Sequence, residues 1–172
     1  PHDRLWLAFP TSGYALGESA EEIESARTTW AAVANAAAEF EPVSMIVAPR
    51  DEDVASRYLD GSIELHVREL DDAWMRDIGP TFVVDDERPG WLGAVTWVFN
   101  GWGAQEWATW GFDAEIGAAV AELSGAERIA SSLVNEGGGI HVDGLGTVIV
   151  TETVQRDPGR NPGISREAVE VE

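Results

Sequence analysis

The sequence contains no cysteine, only three histidines and only two methionines among 172 residues. Without cysteine these residues hold no disulfide framework, no thiolate-ligated zinc and no thiol nucleophile. Positive charge is scarce as well: 11 Lys and Arg stand against 31 Asp and Glu, for a net charge of −20. A field of that sign repels a phosphate backbone, so no nucleic acid is expected as a partner. The same field attracts a small cation, and it also serves plain solubility. No apolar run reaches the roughly 20 residues of a membrane span. Pro1-His2-Asp3-Arg4 lacks the basic-then-apolar layout of a signal peptide. No membrane partner is expected, and the location these features suggest is cytoplasmic. The first residue is not Met and the chain stops inside a helical pattern, so a piece of a longer protein is expected.

What is present is ordinary for a globular protein, 44% hydrophobic and 24% charged residues, and the length predicts one domain. Leu5-Trp6-Leu7-Ala8-Phe9 reads as a buried strand stopped by Pro10. Ser19 and Glu22 have the spacing of a capping box. Behind them Ile23, Ala26, Trp30, Val33, Ala34, Ala37 and Phe40 recur at helical spacing, predicting a helix over 20–40. Strands follow over 43–47 and 63–67, with a short helix over 51–59 between them. Residues 81–84 and 94–99 read as a strand pair, 113–123 as a helix ended at Gly125, and 128–134, 140–142 and 147–150 as strands. Residues 157–163 are loop, and Ser165 caps a last helix. Helices and strands alternate, so the fold class is α/β. There is an internal echo: Asp77 and Glu136 each stand just before glycine and a strand pair.

Two segments could carry chemistry. In Trp74-Met75-Arg76-Asp77-Ile78-Gly79-Pro80, Asp77 either holds a cationic ligand against the flat face of Trp74, or pairs with Arg76 while Trp74 joins the core. In Glu136-Gly137-Gly138-Gly139, three glycines free the backbone for positive φ and for close approach to a ligand, and Glu136 could orient a histidine. His141 and Asp143 lack a third ligand, so neither a metal nor a cofactor is expected. Five of the eight tryptophans fall within residues 91–110. Trp97 is most simply a strand-face core residue, and Trp102, between two glycines, either packs or faces a ligand.

These segments resemble the agmatine deiminase family, which is related to the bacterial-type peptidylarginine deiminases. The resemblance is carried by residues 1–6, 74–82, Asn100-Gly101-Trp102-Gly103 and 136–146, with Thr151-Glu152 and Gly159-Arg160-Asn161-Pro162 adding to it. It implies the pentein fold, a propeller of five ββαβ-like units around a central site. Residues 1–172 would be the N-terminal part of that single domain, roughly the first two to three units. The implied reaction is agmatine and water giving N-carbamoylputrescine and ammonia through a cysteine adduct. By position, Glu136 matches the glutamate that orients the catalytic histidine, and Asp77 matches a guanidinium-binding aspartate. Trp74 matches the aromatic residue beside the substrate. The family's cysteine, histidine and second aspartate come from later segments, so the 172 residues alone are expected to be inactive. His141-Val142-Asp143 imitates one of those segments and receives no catalytic role. The implied partner is a small cationic guanidino compound. A homo-oligomer is compatible with the strand edges that an incomplete propeller exposes. Activity on arginine residues of peptides, or guanidinium binding or assembly without catalysis, are the competing expectations.

Overall fold

The computed structural model describes residues 3–172; Pro1 and His2, the start of the N-terminal motif, lie outside the described residues. The chain divides into two compact units, one reaching to Met75 and one over Arg76–Glu172. Each mixes helices with strands, in keeping with the α/β class.

In the first unit β1 (Leu5–Ala8), β2 (Val43–Val47) and β3 (Glu64–Val67) form a parallel sheet in that order. Parallel neighbours need crossover connections. A single turn α1 (Gly13–Leu16) and the long helix α2 (Ala20–Ala38) lead from β1 to β2, and α3 (Glu52–Tyr58) leads from β2 to β3. All of β2 is buried, which is why it reads as a continuous run with no alternation. Its core contains Phe9, Ala34, Val43, Met45, Val47, Ala55 and Ile63. The capping box forms as the spacing predicts: Ser19 Oγ accepts from the Glu22 N–H at 3.2 Å and Glu22 accepts from the Ser19 N–H at 2.9 Å. The buried stripe of α2 is Ala26, Ala31 and Ala34. Val33 and Phe40, expected on the apolar face, are 54% and 86% exposed. Val33 is rotated about 100° from Ala34 around the helix, and Phe40 lies beyond the helix end, where helical spacing no longer applies.

The second unit opens on α4 (Met75–Ile78), whose first residue closes the first unit. The hairpin β4 (Thr81–Val84) and β5 (Leu92–Val98) is antiparallel. After β5 comes α5 (Gly101–Ala104), a single turn in which all four residues have positive φ. The helix α6 (Asp113–Ser124) then returns the chain to β6 (Glu127–Val134), which lies parallel to β5. The order is strand, strand, helix, strand, with β5 central. Gly125 ends α6 at φ 70°, its N–H reaching the Ala121 and Glu122 carbonyls. Burial alternates along β5: Ala94 and Thr96 take the buried face and Val95 and Trp97 the other. Trp97 is therefore half-buried, its indole N–H on Thr81 Oγ1 at 2.9 Å, which corrects its expected core position. The register of β5 against β6 shifts between Thr96 and Val98, with the extra residues on β6. A second antiparallel hairpin, β7 (Ile140–Val142) and β8 (Val148–Val150), precedes the short helices α7 (Glu152–Gln155) and α8 (Arg166–Val171). Ser165 caps α8, accepting from the Ala168 N–H at 3.2 Å. Asp77 thus stands before one antiparallel pair and Glu136 before another, as the echo in the sequence suggested. Among the described residues no helix is long and apolar enough to cross a membrane.

Candidate active site

Trp74 belongs to the first unit, where a buried carboxylate pins its segment. Asp72 accepts the N–H groups of Tyr14 at 2.9 Å, Ala15 at 3.1 Å and Ala73 at 2.8 Å, and a hydrogen bond from the Trp74 side chain. Burial is the largest influence on Asp72 and raises its pKa in spite of these bonds. A Cβ at Gly13, at φ +73°, would collide with Asp72, so glycine is required where the two segments meet. The Trp74 ring stands edge-on to Trp30, centroids 5.8 Å apart, and is only half-buried.

The second unit brings Asp77 and Glu136 together. The glycine run does this by its lack of side chains: a Cβ at Gly138 would overlap Asp77 Oδ1, and one at Gly137 would lie 2.5 Å from the Arg76 carbonyl oxygen. None of the three glycines has positive φ, so their conformational freedom is not what the site uses. They let the segment before β7 press against the segment before β4. Arg76 adds a bond across the same contact, its Nη2 on the Ile140 carbonyl at 3.2 Å.

Two different groups hold the two acids. The Trp102 indole N–H donates to Asp77 Oδ2 at 3.2 Å. Trp102 is fixed in turn by stacking on Trp107, centroids 5.2 Å apart, and by an edge contact with Phe99 at 5.0 Å. Its backbone is left-handed, φ 59° and ψ 39°, a conformation costing about 1–2 kcal/mol for a residue with a Cβ. Surroundings must over-determine such a residue, and residues of this kind concentrate at functional sites. Glu136, 3% exposed, is gripped by Arg160, whose Nε lies 3.0 Å from Oε1 and 3.2 Å from Oε2. Burial raises the Glu136 pKa most; Arg160 opposes it, and the charges of Asp77 and Asp157 add to the rise. Glu136 and Asp157 both pair with the Arg160 guanidinium, and the charge of Asp77 acts on Glu136, an acidic environment suited to a further cation. The sequence singled out Asp77 and Glu136 as acids, whereas the partners Trp102 and Arg160 were visible there only as members of motif segments. His141 is exposed, and Asp143 spends its carboxylate on the N–H groups of Leu145 at 2.7 Å and Thr147 at 3.1 Å.

The clash geometry separates two neighbouring substitutions. Gly138→Ala meets only the tip of the Asp77 side chain, which can swing away, so the fold is expected to survive while the carboxylate is displaced. Little change in Tm is therefore expected for Gly138→Ala. Gly137→Ala meets a backbone carbonyl that no rotamer change relieves, so it is expected to cost about 1–3 kcal/mol of stability. Thermal melts of both variants distinguish the two; equal loss of stability in both would refute the distinction.

Residues 1–172 match in full the model of a family described as Porphyromonas-type peptidyl-arginine deiminase. A Streptomyces coelicolor protein provisionally named agmatine deiminase is 56% identical over 172 residues, covering 100% of this chain and 50% of that protein. The agmatine deiminase of Stutzerimonas stutzeri is 39% identical over 176 residues, covering 99% of this chain and 46% of its own length. Among solved structures, the agmatine deiminase of Enterococcus faecalis superposes with a TM-score of 0.88 at 31% identity, over 99% of this chain and 47% of that one. The chain spans about half the length of the curated relatives it matches. With every residue matched by the family model and relatives this similar over the whole chain, it belongs to the Porphyromonas-type peptidyl-arginine deiminase family.

Proposed function

We propose that this chain is the N-terminal half of an agmatine deiminase, an enzyme that hydrolyses a guanidino group. Water adds its oxygen to the guanidinium carbon of agmatine and ammonia leaves, giving N-carbamoylputrescine. Asp77 accepts N–H bonds from the planar cation, a task that suits a carboxylate with two oxygens. Glu136 orients an imidazole supplied by the rest of the protein and stabilises its protonated form. Trp74, three residues before Asp77 in the chain, supplies a flat apolar face beside the substrate. The thiol nucleophile, the imidazole and a second aspartate are assigned to residues beyond these 172. Both units are assigned to one pentein-type domain of a cytoplasmic enzyme, and the strand-strand-helix-strand order of the second unit supports that assignment.

The observation that carries this reading is the meeting of the two acids: Asp77 lies against Gly138, two residues after Glu136, and its charge acts on Glu136. Similarity to the agmatine deiminases of Stutzerimonas stutzeri and Enterococcus faecalis supports agmatine as the substrate. The test is formation of a ureido product by the full-length protein from agmatine and, separately, from an arginyl peptide. Product from agmatine is expected. Product from the peptide alone would move the substrate class to peptidyl arginine, and guanidinium binding without product from either would leave a non-catalytic module.

A further inference from the structure

We propose that Arg160 is the positioning residue for Glu136: its guanidinium grips both carboxylate oxygens and fixes the face that Glu136 presents to its reaction partner. The contact is buried on both sides, with side-chain exposures of 12% and 4%. A carboxylate offers about four lone-pair sites. The single Nε–H of Arg160 is shared between the two oxygens, which leaves acceptor capacity on each for an imidazole N–H.

The loop carrying Arg160 is registered against the end of β6 by side chains that imitate a strand. Asn161 Nδ2 donates to the Val134 carbonyl at 2.8 Å, and Asn161 Oδ1 accepts the Val134 N–H at 3.0 Å. That pair of hydrogen bonds sits one residue from Arg160 and two from Glu136, so it sets their spacing. Asn100 ties the same loop to α5 through the Gly159 carbonyl at 2.9 Å. Asp157 accepts the Arg160 N–H at 3.1 Å and lies 3.8 Å from its Nη1. Gly103, at φ +90°, presents its bare Cα to the guanidinium; a Cβ there would lie 3.3 Å from Nη1 and 3.0 Å from Asp157 Oδ1. Arg160 is therefore seated by the end of β6, by α5 with its capping Asn100, and by Asp157 of its own loop.

The charged groups acting on Glu136 are Arg160, Asp77 and Asp157. Of these only Arg160 favours the ionised form. The experiment compares R160Q and R160K in the full-length protein, and its kinetic part rests on the deiminase reading. R160Q is expected to lower kcat about 100-fold with KM changed less than about threefold, since a misplaced orienting group costs the chemical step. Its acid limb of kcat is expected to move to higher pH. R160K retains the charge without the planar fork, so the limb should stay near that of the native enzyme while kcat recovers only in part. An unshifted limb in R160Q would overturn the proposal, as would equal loss in both variants. A second measurement separates the clamp from the enzymatic reading. The Glu136 carboxyl can be titrated by carbon-13 NMR, assigned with E136Q. If R160Q titrates higher than native protein although no guanidino compound is turned over, the clamp stands and the deiminase reading falls. If the titration is unchanged in an active enzyme, the clamp falls alone.

Discussion

On the proposed deiminase reading, Asp77→Asn in the full-length protein is expected to lower kcat/KM by roughly ten- to a hundredfold. A hydrogen bond to a charged group is worth about 1.5–3 kcal/mol, and each 1.4 kcal/mol is a factor of ten. The amide keeps the size of the side chain and one carbonyl oxygen, so the Trp102 N–H, 3.2 Å from Oδ2 in the native protein, still has an acceptor available. What disappears is the second acceptor and the negative charge, the two features that match a planar cation. The loss should grow if the guanidinium gains charge contacts on the way to the transition state, and it should then appear in kcat as well as KM. Native kcat/KM in this variant would remove Asp77 from the site.

Glu136→Gln is expected to act differently, lowering kcat by about 100-fold or more with a smaller change in KM, because in the proposed function Glu136 supports a proton-transferring group and does not grip the substrate. The substitution also leaves the Arg160 guanidinium, 12% exposed, facing a neutral amide. Loss of one partner of a buried pair costs about 3–5 kcal/mol of stability, so the kinetic comparison belongs below the variant's own Tm. The pH dependence follows from the sign of the native shift. Burial raises the Glu136 pKa above its ordinary 4.5, so the folded state favours the protonated form. The stability this favours is fully present below the unfolded-chain value and is lost as pH rises through the folded one. Activity runs the opposite way. An imidazolium needs the anion, so kcat falls as pH drops through the raised value. The acid limb should therefore lie above the range of an exposed carboxylate, and it should be absent from the residual activity of E136Q. The site asks for an ionisation state that the fold disfavours, and Arg160 is the group that compensates.

Local signals were well read in the sequence. The box of Ser19 and Glu22 and the cap at Ser165 are set by side chains hydrogen-bonded to backbone a few residues away, and the stop at Gly125 by its left-handed backbone; each forms as expected. The two acids were also legible, since each precedes glycine and a strand pair. What the sequence could not specify was partnership across the chain. Trp102 reaches Asp77 over 25 residues and Arg160 reaches Glu136 over 24, and no periodicity links those positions. The glycine run was recognised, but with conformational freedom as one reason for it; the structure uses only the missing Cβ atoms. Trp97 does lie on one face of β5, but on the half-buried one, opposite buried Ala94 and Thr96. Which face of a strand is covered depends on what packs against it, and spacing along the strand does not state that.

Whether the acids at 77 and 136 work as one site is tested most directly by a double-mutant cycle in the full-length protein. The quantity is kcat/KM on agmatine for Asp77→Asn, Glu136→Gln and the pair. Groups acting on one substrate in one site are strongly non-additive, so the double variant should lose little more than the worse single variant. Free-energy losses that add to within about 0.5 kcal/mol would mean two independent residues, and would contradict the account.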